Sequence, residues 1–149
     1  MIFISACLLG KKCRYNAEHN LNRGIVAMAE NEENISLCPE LLGGLSVPRV
    51  ACEIVGGTGK EVLEGRAQVL TREGEDHTAA FISGAQKVLQ RCKEQGVKLA
   101  YLKSKSPSCG YGQTYSGSFT KELHTGNGVL AELLSQNGIE VRTTDSDET

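Results

Sequence analysis

Apolar residues along the chain gather into short runs separated by polar, glycine-containing stretches. Ile2–Ser5, Ile35–Leu37 and Leu99–Leu102 read as strands, and Ala67–Leu70 and Ile139–Arg142 repeat the pattern more faintly. Between them the spacing changes to that of helices. Phe81, Gly84, Ala85, Val88, Leu89 and Cys92 fall on one stripe of a helix, which Asp76 or Thr78 can cap and Gly96 can end. A second helix is predicted from Gly128 to Gln136. It buries Val129, Leu130, Leu133 and Leu134, and Asn137-Gly138 supplies a left-handed stop. A shorter helix is predicted around Gly24–Glu30.

Strands alternating with helices predict an α/β fold: one three-layer αβα domain with a mostly parallel, Rossmann-like sheet. No repeat or linker interrupts residues 1–143, and residues 144–149 are expected to form a flexible acidic tail. Two stretches, Ala6–Arg23 and Lys103–Thr125, predict neither helix nor strand. Loops of that length in a compact domain usually carry function.

Composition narrows the class. The chain has 149 residues, a formal net charge of −2, 40% hydrophobic and 23% charged residues. Those fractions suit a globular protein and exclude disorder. The weak charge offers no field for collecting polyanions, so nucleic acid is not an expected partner. No run reaches the roughly 20 apolar residues of a bilayer span. The opening Met1–Leu9 lacks the basic residues that would precede a secretory signal, so the expected location is cytoplasmic. Six cysteines in such a setting point to metal binding or catalysis rather than to disulfides.

Three of the six come after predicted strands: Cys7 just after the first in Ser5-Ala6-Cys7, Cys38 just after the second in Cys38-Pro39-Glu40, and Cys109 in the loop that follows Leu99–Leu102, in Ser106-Pro107-Ser108-Cys109-Gly110. If those strands are parallel, the thiols meet beyond one carboxyl edge of the sheet, where open α/β folds bind ligands. Cys92 lies on the apolar stripe of its helix and reads as core. Cys13 could be a fourth ligand, a resolving thiol or a neighbour of the site, and Cys52 gives no signal. The absence of a C-x2-C pair argues against structural zinc and thioredoxin-type redox chemistry. Scattered single thiols suit an iron–sulfur cluster instead, and three of them would leave one iron open for catalysis.

Other motifs are plainer. Gly56-Gly57-Thr58-Gly59-Lys60 lacks the residues of a phosphate loop and reads as a flexible connection between strands. His19, His77 and His124 stand apart from the cysteine motifs, His77 in the first turn of a helix. Arg14, Arg49, Lys103 and Lys105 flank the cysteines and could bind an anionic substrate or temper a cluster's charge.

Taken in order, Ser5-Ala6-Cys7-Leu8-Leu9-Gly10, Cys13-Arg14-Tyr15, Cys38-Pro39-Glu40, Gly43-Gly44-Leu45, Pro48-Arg49, Ser106-Pro107-Ser108-Cys109-Gly110 and Tyr115-Ser116-Gly117-Ser118-Phe119 resemble domain of unknown function family 523, which includes the thiouracil desulfidases. The resemblance spans nearly the whole chain. One departure is Asn16-Ala17, where relatives often carry Asp-Gly.

The resemblance implies a [4Fe-4S] cluster held by Cys7, Cys38 and Cys109, with the fourth iron taking the sulfur of a small thiolated heterocycle such as 2-thiouracil. It also implies proton transfer by Glu40 and by a serine of the Ser-Pro-Ser-Cys loop, foremost Ser106. Ser104 and Ser108 compete for that role and, with Lys105, are the expected substrate contacts. The expected activity is removal of sulfur as sulfide without net redox change. The alternative is a non-catalytic cluster carrier or sulfur-relay accessory. Oligomeric state is left open.

Overall fold

Strand β1 (Ile2–Ser5) is buried at every position, as expected of a strand packed on both faces. It lies inside a four-stranded sheet of order β2-β1-β5-β8, with β2 at Asn34–Leu37, β5 at Leu99–Lys103 and β8 at Glu140–Thr144. All three pairings are parallel. The computed structural model describes residues 1–17 and 19–144. Thr144, placed by the sequence in the acidic tail, ends β8 opposite Lys103, and the rest of that segment lies outside the described residues.

Alternation along the strands divides the core into two layers. Phe3, Ala100, Leu102 and Val141 point to one face and pack against α4 (Thr78–Glu94) and α5 (Val129–Gln136). Ile2, Ile4, Leu99 and Tyr101 point to the other and meet Ile25 and Met28 of α1 (Arg23–Asn31). The three-layer αβα arrangement is therefore present. Asn22 caps α1 by accepting a 3.0 Å bond from the Ile25 amide. At the head of α4 the Asp76 carboxylate accepts from the Thr78 amide at 2.8 Å, and His77 takes the capping position.

Two short helices, α2 (Pro39–Leu42) and α3 (Gly59–Leu63), and two antiparallel ribbons complete the chain. One ribbon pairs β3 (Cys52–Val55) with β4 (Gln68–Thr71), the other β6 (Gln113–Tyr115) with β7 (Leu123–Thr125). The strand expected at Ala67–Leu70 thus exists as β4 but stands outside the parallel sheet. Its burial alternates, with Val69 and Thr71 covered and Gln68 exposed, which is the pattern of a ribbon with one wet face. The Gly56–Lys60 segment leads into a helix instead of joining two strands. The Glu61 carboxylate accepts from both the amide (2.7 Å) and the hydroxyl (2.8 Å) of Thr58 and so closes the start of α3.

Candidate active site

Strands β1, β2 and β5 of the parallel sheet point their carboxyl ends at one cavity of about 590 Å³. Cys7 reaches it from a turn of 3-10 helix, Ala6–Leu9, that follows β1 directly. Cys38 reaches it from the capping position of α2, straight after β2, and Cys109 from the loop after β5. The convergence expected of these thiols is therefore realised. Cys92, by contrast, is fully buried within α4 among core residues.

The structure adds two thiols to the wall. Cys13 sits beside both Cys7 and Cys38, and Cys52 opens β3. The single S–H of Cys13 is shared as a hydrogen bond between the sulfurs of Cys38 and Cys7, which raises its own pKa. That bond, ahead of the Asn20 side chain and the charge of Lys103, pulls Cys7 down to about 7 against the opposing effect of burial. Cys38 is lowered too, first by Cys13 and then by backbone amides at the head of α2. Thiolate is the form that ligates metal, and both shifts move Cys7 and Cys38 towards it. Burial instead pushes Cys109 up, and the Ser5 hydroxyl, donating to its sulfur at 3.4 Å, opposes that. Ser5 also accepts from the Lys103 amide at 3.1 Å, tying β1 to β5 beneath the thiol. Among the described residues no three ligating side chains close around a single ion. A multi-iron cluster asks for sulfurs set farther apart, each on its own iron.

Glu40 stands in the first turn of α2, two residues beyond Cys38. Its placement depends on a close helix contact. A Cβ on Gly84 of α4 would come within 1.9 Å of the Pro39 carbonyl oxygen, and one on Gly43 within 2.0 Å of the Ala80 carbonyl oxygen. Only paired glycines let α2 lie this near α4. Burial raises the Glu40 pKa, and Arg49, with Nη2 at 3.3 Å, offsets part of the rise. Arg49 also donates to the carbonyls of Cys13 (3.1 Å) and Ser46 (3.0 Å), so one buried guanidinium fixes the acid and the Cys13 loop together.

The Ser-Pro-Ser-Cys loop is anchored from behind. Its carbonyls at Pro107 and Ser108 accept amides from the first turn of α5, at 2.8 Å from Val129 and 2.9 Å from Leu130. Ser106 lines the cavity, and its oxygen accepts from the amides of Ser108 (3.1 Å) and Cys109 (2.8 Å). With its oxygen so engaged, the hydroxyl is left with its hydrogen to donate. Ser104 and Lys105 line the cavity as well, Lys105 with φ of 69°, in the left-handed region. Ser108 does not. It is fully buried behind the loop, so the substrate contact expected of it is not available from this position.

Asn20 beneath the thiols, and Glu53 and Arg72 on the outer wall, carried no sequence signal, whereas Ser5 and Phe119 fall within the family motifs without any role assigned to them there. Ala17, at the departure from Asp-Gly, has φ of 63°, a conformation that a glycine takes without strain.

Fold and cavity together define an α/β protein with a thiol-lined pocket at the carboxyl edge of a parallel sheet, flanked by a carboxylate and a hydroxyl. Within that class the chain belongs to the 2-thiouracil desulfurase family, whose model matches residues 2–146. It is 45% identical over 141 residues to the uncharacterized protein YbbK of Bacillus subtilis (strain 168), covering 95% of this chain and 93% of that one. A solved structure of a [4Fe-4S]-dependent thiouracil desulfidase, TudS, superposes with a TM-score of 0.83 at 36% identity, over 95% of this chain and 89% of that one. No helix among the described residues is long and apolar enough to cross a membrane.

Proposed function

We propose that this protein is a [4Fe-4S]-dependent desulfidase that converts a small planar thiocarbonyl compound, of the 2-thiouracil kind, to its oxo counterpart and sulfide. The observation that carries this reading is the meeting of Cys7, Cys38 and Cys109 from three separate strand ends in one cavity with Glu40 and Ser106. The donor set fits the group. Two thiols are biased to thiolate, the third is buried beside a donating hydroxyl, and the cavity exceeds what a lone pyrimidine needs.

When bound, the cluster supplies one iron without a protein ligand, a Lewis acid for a thiocarbonyl sulfur. The remaining steps belong to the chain. Glu40, held by Arg49 and raised by burial, takes a proton from the water that attacks the thiocarbonyl carbon. Ser106, its oxygen occupied by two amides, donates a hydrogen bond towards the departing sulfur. Ser104 and Lys105 supply polar contacts to the heterocycle's edge. A carbon–sulfur bond breaks, a carbon–oxygen bond forms, one water is consumed and hydrogen sulfide leaves, so electrons balance without an external carrier.

Anaerobic reconstitution should give about four irons per chain, and the purified protein alone should release sulfide and uracil from 2-thiouracil. A colourless protein with full activity would overturn the cluster assignment. A cluster-loaded protein that releases sulfide only with a second protein present would make it a relay.

A further inference from the structure

Aromatic residues are scarce, at 5% of the chain with no tryptophan, and only three are phenylalanine. Phe3 and Phe81 are fully buried in the core. Phe119 is spent differently. It is half-buried at the tip of the β6–β7 ribbon and lines the cavity.

The chain fixes Phe119 from several directions. Its φ is 60°, a left-handed conformation that costs a residue with a side chain about 1–2 kcal/mol. Its amide donates to Glu53 Oε1 at 3.2 Å, and the Gly117 amide donates to the same oxygen at 2.9 Å. Its carbonyl accepts from Arg72 Nη2 at 2.9 Å. The Arg72 guanidinium carbon also stands 5.7 Å from the centre of the phenyl ring. Glu53 and Arg72 both belong to the neighbouring β3–β4 region, so one ribbon grips the tip of the other. Such effort at a partly open ring contributes nothing to the core. It is what a preorganised binding surface requires.

We infer that Phe119 is a specificity-determining residue: its ring, backed by Arg72 and held by Glu53, forms the stacking face for the planar heterocycle. This inference rests on the proposed substrate class. A flat π-face against the substrate plane selects conjugated thiocarbonyl rings over saturated ones of equal polarity, and it orients the carbon–sulfur bond within that plane towards the thiols. Glu53 and Arg72 act through Phe119 and are positioning residues.

The test compares binding of uracil with that of 5,6-dihydrouracil, which keeps the polar groups but loses the flat ring. Isothermal titration of the cluster-loaded protein should show uracil bound about fivefold more tightly or better. Phe119→Leu keeps apolar bulk and should bring the ratio close to one with iron content unchanged. Phe119→Tyr should restore the preference, and Glu53→Ala, which frees the tip, should reduce it. A ratio that Phe119→Leu leaves intact, or wild-type protein that binds neither ring, overturns the inference. These readings are independent of turnover. A protein that prefers the flat ring through Phe119 yet releases no sulfide loses the proposed activity and keeps the stacking face. One that desulfurises thiouracil with no dependence on Phe119 does the reverse.

Discussion

The floor and the outer wall of the cavity are built on different principles. The floor is the carboxyl edge of a parallel sheet, where Cys7, Cys38 and Cys109 each follow a strand within a few residues. Their positions are inherited from the core, because buried strands and the glycine contact between α2 and α4 leave little freedom. The outer wall consists of two antiparallel ribbons whose polar side chains hold one another: Glu53 and Arg72 on one, Gly117 and Phe119 on the other. The floor is set by packing and can hold a rigid cofactor. The wall is set by hydrogen bonds and can be tuned to a substrate without disturbing the floor.

Breaking the floor should have the largest effect. Replacing Cys7, Cys38 or Cys109 by alanine removes a donor that no other residue occupies in the same place. Each variant should lose both iron and sulfide release, as measured by iron analysis and a thiouracil assay. Retention of full iron by Cys109→Ala would show that Cys13 can take the vacant ligand place, and that packing does not hold the floor rigid. Next comes Gly84→Ala. The added methyl meets the Pro39 carbonyl, so α2 must move, and Glu40 and Cys38 move with it. Overpacking of this kind costs about 1–3 kcal/mol of stability. Misplacing a catalytic group costs on the order of a hundredfold in rate. The checks are thermal unfolding and kcat, and an unchanged kcat would mean that the helix contact does not place the acid.

The contrast between floor and wall also explains what could be read from the sequence. Strand β1 is a near-continuous apolar run, β2 and β5 hold shorter ones, and α4 and α5 carry a long apolar stripe, so these are visible as patterns, whereas β8, with Glu140, Arg142 and two threonines, is fainter. Cys7 and Cys38 are legible because they follow those runs at once, and Cys109 because it lies in the loop after one. Helix α2 spans four residues, too few to show a period, although it carries Glu40. Strands β6 and β7, three residues each, are polar enough to pass for loop. Ser5 looked like the polar end of a strand, and nothing in its neighbours showed that it would meet a thiol 104 positions away. Glu53, Arg72 and Phe119 acquire their roles only when two ribbons distant in sequence are brought together.

Arg49 joins the acid to the Cys13 loop and offers a finer test. Its positive charge holds the Glu40 pKa below the level that burial alone would set. In the proposed mechanism Glu40 is a base in its ionised form, so activity should rise with pH through its pKa. Arg49→Met removes the lowering influence, and the rising limb of kcat/KM should move to higher pH, with activity regained on the alkaline side. Iron content should be measured alongside, because the variant also frees the Cys13 carbonyl. A limb that stays in place would remove Glu40 from the role of base.

Cys92→Ala should have the smallest functional effect and makes the sharpest control for the floor. Like Cys109 it is a buried thiol with a pKa raised by desolvation, in this case to about 11. The two differ in surroundings. Cys92 lies among Val88, Val97 and other core side chains, whereas Cys109 lies at a strand end beside a hydroxyl and the cavity. Removing the Cys92 sulfur leaves a small void in α4's packing and should lower stability by about 1 kcal/mol, a shift of a few degrees in Tm. Iron content, KM and kcat should match the wild type. Loss of iron in this variant would mean that a thiol's place at the sheet edge is not what distinguishes ligand from core, and the division between floor and interior would fail with it.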